Sequence, residues 1–599
     1  MVGLHIYNNL EAIDKSLDFT ATLQLEEWHE KKEYFNNGFV SIVCSFYKGY
    51  PINHYNDDHL IIVYEGMIYN RTNDEVFSFC KSLANKGSDI TNRKDLIGDF
   101  VGSTDGDFII LIYNKLIGES ILFNDLTGRL PFYYYFDLKR FIAGRSLPFV
   151  IHNIPQIDID KKALTEFMMI EFLIGKHTFF KDVQRLSPAE IIFISTTNNE
   201  LKIITQKARE DHYKVDHPFK NKKEALESLV QKCTEVTRQR IEKLKSHGYT
   251  IFNTLSGGFD SRAVFGIMNT ITQDFTNVTY EYVQDESGIA KQILDRTDSK
   301  SRYVKCSFEN KVNLLDSPLL YRTGNSVNIY TTSVCYNDSL FMKREILKNK
   351  DALFGGFGGE HIRHPYYPLP LSPYTYLCYF YPEAPIHALR PVFNVTSSDF
   401  RKFMMETLKQ YRKKSKNSVY RHLYDEYYRN YVVGAGEDRT RMFVWTIQPF
   451  MANPFVQIIR KRVPLAWSNF QFFTDFISKI DFRLLDIPVF GKTADLHDKN
   501  SVKKLTLSNQ KLIRSIVLTG VKKYGWLFFR HRMRDKTDLI GFDTFDLFYQ
   551  RLDFYKDFFN YTFIKSEYNK WPFSVKNRLL SIAMYLFELE KHYARKLVK

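Results

Sequence analysis

The sequence predicts an α/β chain of more than one domain, on three observations. Residues 1 to about 205 carry short β-rich runs (39–43, 60–64, 108–113 and 132–136) with helical patterns between them, as at 74–86 and 161–173. From residue 250 onward, β-branched runs alternate with helical patterns, which implies parallel strands joined by right-handed crossovers. Between the first of those strands and its helix stands Ser256-Gly257-Gly258-Phe259-Asp260-Ser261, a glycine turn opening a helix.

Composition narrows the class. With 599 residues, 44% apolar and 25% charged, the chain has the make-up of a globular protein of several domains. A net charge of +15 permits an RNA, phosphate-rich or acidic peptide partner and selects none of them. Six cysteines without any CxxC pair indicate neither a zinc site nor a disulfide framework. The first residues show no basic and apolar leader, and no apolar run reaches membrane length, so a cytoplasmic protein without a membrane span is expected. The 51 Phe and 38 Tyr read as aromatic-rich cores.

The glycine turn carries the chemistry. Paired glycines let the backbone approach an anion without a Cβ in the way. Ser256, Ser261 and the first N–H groups of the helix face one spot, where the helix dipole favours negative charge. Gly257 and Gly258 supply the close approach, and pyrophosphate suits such a nest. Asp260 would repel bare phosphate, which suggests a Mg²⁺ between carboxylate and phosphate oxygens. No Lys-Ser/Thr pair closes the loop, so it is not a P-loop. A Gly-rich turn with a capping Ser is the local alternative.

Taken in order, 207–222 is a polar linker, and 224–244 fits an amphipathic helix through Leu226, Leu229, Val230, Cys233, Val236 and Ile241. Strands follow at 250–252, 278–282 and 302–304. A further short strand, 352–354, ends in Gly355-Gly356-Phe357-Gly358-Gly359-Glu360-His361, where backbone again comes close to a ligand and Glu360 offers a second carboxylate. Residues 501–599 are basic and aromatic and read as helices with an apolar stripe, most simply a helical cap.

These segments resemble the asparagine synthetase, β-lactam synthetase and lasso-peptide cyclase superfamily. Glu65-Gly66-Met67-Ile68-Tyr69-Asn70 is similar to the NGEIYN segment of the family's glutaminase domain, Asp105-Gly106-Asp107-Phe108 to its GDFAFA strand, and 124–134 to its DRxGxRPLYY stretch. Gly355–Glu360 resembles SGEGADE, and 436–454 resembles the DR-x-SM…E-x-R-x-PFLD region. The resemblance implies an Ntn-hydrolase-like glutaminase-type sandwich (αββα) over 1–205, degenerate here. It implies a parallel-sheet adenine nucleotide α-hydrolase-like (PP-loop) synthetase domain over 206–500, and 501–599 remains a helical extension.

The departures matter as much. The family's nucleophilic cysteine would stand where this chain has Val2, Cys44 is not terminal, and the HRGPD-like segment is absent, so glutamine hydrolysis is not expected. Phe357 replaces an acid or Tyr and cannot move a proton. The resemblance implies ATP and Mg²⁺, with Ser256, Gly257, Gly258, Asp260, Ser261, Gly356 and Gly358 around the nucleotide, and Asp260 and Glu360 on the metal. Arg439 would clamp a carboxylate or phosphate, with Arg441 beside it; a helix-face ion pair with Glu437 or Asp438 is the alternative. Lys492 would stabilise developing charge, with Lys499, Lys503 and Lys504 as competitors. His361 and His364 read as structural or solvent-facing rather than catalytic.

The expected activity is an ATP-dependent, AMP-forming amide ligase or cyclase acting on a peptide or amino-acid-derived natural product. The partner would be a small molecule or precursor peptide. Nucleic acid is not expected, and a homodimer is compatible. An ammonia-dependent asparagine synthetase and a non-catalytic nucleotide-binding scaffold are the other readings.

Overall fold

The computed structural model describes residues 1–11, 20–23, 26–85, 89–197, 199–209, 215–281, 286–307, 317–323, 339–348, 350–363, 389–409, 422–423, 425–426, 433, 436–488, 541–571 and 573–598. The fold is mixed α/β, with antiparallel sheets in the N-terminal part and a parallel sheet beyond it.

Two six-stranded antiparallel sheets form the N-terminal part. One runs Gln184–Arg185, Tyr133–Phe136, Arg140–Gly144, Gly3–Asn9, Val40–Phe46, Glu30–Asn36; the other runs Glu200–Lys207, Glu190–Thr197, Glu119–Asn124, Gly106–Asn114, Leu60–Ile68, Ile52–Asn56. Strand periodicity explains the layering. In Leu60–Ile68, Ile61 and Val63 join the core shared with Ile6 and Ile42 of the facing sheet, while Leu60, Ile62 and Tyr64 join Val76, Cys80, Ile97 and Val101 of two covering helices. Both faces are buried, which is why the run is continuously apolar. Those helices are Asn73–Ala84, opened by a Thr72/Glu75 capping box, and Ile90–Ser103, capped by Asp89.

On the far side, Val43, Tyr133, Tyr135 and Ile142 of the first sheet pack under the helices Leu147–Asn153 and Lys161–Ile170. The same core takes in the C-terminal helix Phe573–Tyr593, and Leu597–Val598 adds a parallel strand to Ile157–Asp158. The same core also holds Leu320, Tyr321, Val392, Phe393 and Phe400, and the Tyr321 hydroxyl donates to that of Tyr593 at 2.5 Å, so this segment packs both on the N-terminal sandwich and on the part of the chain that follows it. The cause is that Leu579, Leu580, Ile582, Ala583, Met584 and Leu586 leave the helix apolar nearly all round, so it must be enclosed.

The parallel sheet runs Arg302–Ser307, Thr276–Glu281, Thr250–Thr254, Asp351–Phe354, Trp445–Ile447. The chain builds outward from Thr250–Thr254 in one direction, then returns to build in the other. That reversal between Thr250–Thr254 and Asp351–Phe354 creates a crevice at the carboxyl ends of the two strands, where ligands of open α/β sheets bind. Helices Lys222–Ser246, Phe259–Ile271 and Phe470–Ile480 pack together beside the sheet. Asn221 caps the first of them by accepting the Glu224 N–H at 2.9 Å. Among the described residues, no helix is long and apolar enough to cross a membrane.

Candidate functional site

Both central strands run into glycine loops, and the loops meet. A Cβ on Gly356 would lie 2.5 Å from the Ser261 amide nitrogen, and one on Gly359 would lie 1.9 Å from Asp260 Oδ1. At Gly356 a side chain would collide with backbone, and at Gly359 it would have to push the Asp260 carboxylate aside. Gly358 takes φ +99°, a left-handed conformation that turns the second loop into the short helix Gly359–His361. Gln448 braces this loop: its Oε1 accepts the Phe357 N–H at 3.0 Å.

The first loop is held from behind by Arg262. This side chain is fully buried and donates to the carbonyls of Leu484 (2.8 Å), Ile487 (2.6 Å) and Pro488 (3.1 Å). Burial pulls its pKa down to about 10. Gly258 begins helix Phe259–Ile271 without a side-chain cap on its first N–H groups.

The donors of the loop are already engaged. Ser256 Oγ and Ser261 Oγ lie 2.9 Å apart, and Ser261 Oγ accepts the Ser256 N–H at 3.1 Å. Gly257 N–H donates to Glu286 Oε2 at 2.7 Å, so a carboxylate of this chain stands at one of the expected anion contacts. The sequence reading did not anticipate Glu286 there.

Around the two loops lies a cavity of about 380 Å³, lined among others by Ser256, Asp260, Ser261, Gly356, Phe357 and Glu360. Gly436, Glu437 and Thr440 form part of its opposite wall. Of the residues singled out from sequence, Ser256, Asp260, Ser261, Gly356 and Glu360 line this cavity, while Gly257, Gly258 and Gly358 lie in the same two loops but are not among its lining residues, Gly358 facing Met451 and Phe450. Arg439 is fully buried and is not among the described residues lining this cavity. It lies near Tyr133 of the antiparallel sandwich, whose phenol is raised above its usual range by burial, a rise that Arg439 opposes slightly. Arg441 is likewise buried, in ion pairs with Glu437 (2.8 Å) and Asp107 (2.7 Å). Lys492, Lys499, Lys503, Lys504 and His364 lie outside the described residues. His361 is buried, with Nε2 3.2 Å from Met451 Sδ.

The residue that sequence reasoning missed is Arg363. Its Nη2 lies 2.5 Å from Asp260 Oδ2 and 3.4 Å from Glu360 Oε1, so one guanidinium spans both carboxylates. The guanidinium also sits 5.1 Å above the Phe470 ring and 5.4 Å above Phe473. Burial raises the Asp260 carboxyl to about 7; Arg363 opposes the rise and Glu360 adds to it. A basic residue three positions after Glu360 was the available signal, since a single helical turn brings the pair together.

The fit to Mg²⁺ can be judged from the donors. Among the described residues, no group of three or more His, Cys, Asp or Glu side chains is placed to hold a metal. Mg²⁺ is commonly held by one or two carboxylates plus substrate phosphates. Asp260 and Glu360 meet that lesser requirement, and Asp260 Oδ1 is buried without a hydrogen-bond partner.

The wall carrying Glu437 is tied to the sandwich. Arg129 Nη2 reaches Glu437 at 2.5 and 2.7 Å, Arg145 pairs with Asp438 and with Glu65 (2.8 Å), and Arg240 pairs with Asp105 (2.6 Å). Glu65, in the segment similar to NGEIYN, also accepts the Leu4 N–H at 2.8 Å and the Tyr50 hydroxyl at 2.5 Å. Val2 and Cys44 are buried, and burial holds the Cys44 thiol well above its usual range.

No curated protein matches the chain. Among solved structures it aligns with the glutamine phosphoribosylpyrophosphate amidotransferase from B. subtilis complexed with ADP and GMP, at 11% identity over 43% of this chain and 56% of that one, with a TM-score of 0.17. It also aligns with the allosteric regulatory enzyme of purine biosynthesis, at 9% identity over 44% of this chain and 66% of that one, with a TM-score of 0.19. The chain thus spans less than two thirds of either protein, and the architecture rests on the sheet topology above. Residues 27–205 match the family model of a glutamine amidotransferase domain, and this part of the chain is similar to such domains.

Proposed function

We propose that the protein is an ATP-dependent, AMP-forming ligase or cyclase that makes an amide bond on a peptide or amino-acid-derived substrate. The observation that carries this reading is the meeting of two glycine loops at the reversal point of the parallel sheet, with Asp260 and Glu360 facing one cavity. The order of the parallel strands supports a PP-loop type of domain. The antiparallel four-layer sandwich, together with the amidotransferase match over 27–205, supports an Ntn-like N-terminal domain.

In the proposed reaction a substrate carboxylate oxygen attacks the α-phosphate of ATP, forming an acyl-adenylate and releasing pyrophosphate. An amine nitrogen then attacks the acyl carbon, and AMP leaves with the C–O electrons as the amine loses its proton. The open N-terminus of Phe259–Ile271 faces developing negative charge, with Ser256 and Ser261 hydroxyls available once their mutual bond is exchanged. Mg²⁺ would be held by Asp260 and Glu360 and would neutralise charge on the departing phosphates. Phe357 contributes a hydrophobic rim and no proton transfer.

The source of the amine separates this reading from glutamine-dependent chemistry. Val2 has no nucleophilic atom, and burial raises the Cys44 thiol well above its usual range, which disfavours the thiolate a glutaminase would need from either position. In the proposed reaction the amine comes from the substrate or from free ammonia.

Incubating the protein with α-labelled ATP and candidate acids, peptides or a small-molecule extract tests the reading. Labelled AMP is expected. Labelled ADP, formed by the wild type and lost in Asp260→Ala, would contradict it.

A further inference from the structure

The cavity poses an electrostatic problem. It is walled by three carboxylates, Asp260, Glu360 and Glu437, and among the described residues lining it there is no Lys or Arg. Glu437 is satisfied by Arg129 and Arg441 from behind. A polyphosphate brought to Asp260 and Glu360 meets repulsion unless a cation moves with it.

Among the described residues, Arg363 is a cation placed directly at these two carboxylates. It is held between Asp260 and Glu360, and its side chain is 17% exposed. Its aromatic floor, Phe470 and Phe473, belongs to the helix that packs against Phe259–Ile271, the helix opened by the glycine loop. The planar fork of an arginine matches a carboxylate and a phosphate equally well. A divalent ion arriving with the phosphates competes for the same two carboxylates.

Resting on the proposed ATP-cleaving reading, we infer that Arg363 is a phosphate-binding residue of this site. In the free protein it acts as the counter-cation of Asp260 and Glu360, and it passes to the pyrophosphate moiety when a divalent ion takes its place on them. One positive charge thus serves two anions in turn. The carboxylates stay neutralised in both states, and the phosphates acquire a basic contact that the described residues lining the cavity do not supply.

The exchange has a signature of opposite signs. Removing Arg363 frees both carboxylates for a divalent ion and takes a donor from the phosphates. Calorimetric titrations of the full-length protein with Mn²⁺ alone, and with inorganic pyrophosphate at saturating Mg²⁺, are compared for wild type, Arg363→Ala and Arg363→Lys, each checked for native thermal unfolding. For Arg363→Ala, Mn²⁺ binding at least threefold tighter and pyrophosphate binding at least tenfold weaker are expected. Arg363→Lys, which keeps charge but not the fork, should fall between. Unchanged pyrophosphate affinity in Arg363→Ala would overturn the inference and leave the ATP-cleaving reading standing. Loosening of both ligands together would make Arg363 a structural brace and overturn it equally. A wild type that binds neither pyrophosphate nor ATP would overturn the ATP-cleaving reading, and the inference with it.

Discussion

Arg129 of the antiparallel sandwich and Glu437 of the parallel domain are joined by a buried ion pair, with Arg129 Nη2 at 2.5 and 2.7 Å from the two carboxylate oxygens. Both side chains are almost wholly enclosed, and Glu437 also lines the cavity between the glycine loops. The sandwich therefore fixes one wall of the candidate site, a structural use that needs no glutaminase activity. Removing one partner of a buried pair leaves the other charge uncompensated, at a cost of about 3–5 kcal/mol. Arg129→Met should lower stability by that order in denaturant unfolding. A change below about 1 kcal/mol would mean that the contact does not hold the two parts together.

The contact between the loops is steric as well as electrostatic. A methyl group on Gly359 would overlap Asp260 Oδ1, and one on Gly356 would meet backbone at Ser261 and Asp260. Gly359→Ala should therefore displace Asp260 and weaken ATP binding by at least tenfold, read by titration with a fluorescent nucleotide analogue. Gly541, where an added Cβ meets nothing within 4 Å, serves as the control: Gly541→Ala should bind as wild type does.

Cysteine chemistry gives a separate check. Cys44, Cys80 and Cys233 are buried, and burial raises each thiol above its usual range, Cys233 to about 12. At pH 8 iodoacetamide should leave all three unmodified in the native protein and label them after denaturation, as read by mass spectrometry. Rapid native labelling of Cys44 would reveal an accessible thiolate and reopen the question of a glutaminase nucleophile.

Acid sensitivity should be visible at His29. Burial depresses its pKa to about 4, against the hydrogen bond between Nε2 and the Met442 carbonyl (2.9 Å). A histidine depressed in the fold leaves stability intact above the unfolded value near 6.5, and stability is lost progressively as pH falls from there to the folded value of about 4. At pH 5 the loss from this group is about 2 kcal/mol. His29→Gln should show a smaller drop in melting temperature between pH 7.5 and 5 than wild type; an equal drop would assign the effect elsewhere.

What could be read from sequence followed local physics. The strand at Leu60–Ile68 announced itself by an apolar run, and Phe259–Ile271 by the glycine turn before it and the 3.6-residue pattern after it. Ser256, Asp260, Gly356 and Glu360 were legible because glycines beside carboxylates at strand ends have few other uses. The i,i+3 pair of Arg363 with Glu360 had a local signal, but the Arg363–Asp260 and Glu286–Gly257 contacts did not, since they arise from loops folding back about a hundred and about thirty residues away in sequence. The destination of Arg441 was equally non-local: its partner Asp107 lies on a strand of the other part of the chain. Phe573–Tyr593 showed its apolar character plainly, but no local signal says which surface it covers.

The central claim is that this site activates a carboxylate with ATP, and pyrophosphate exchange tests it most directly. Purified protein, ATP and labelled pyrophosphate are combined with pools of amino acids, peptides or extract, beside the Asp260→Ala variant. Substrate-dependent label in ATP, lost in the variant, is the expected result. No exchange with any pool, while ATP binds with ordinary affinity, would contradict the ligase reading and point instead to a nucleotide-binding scaffold.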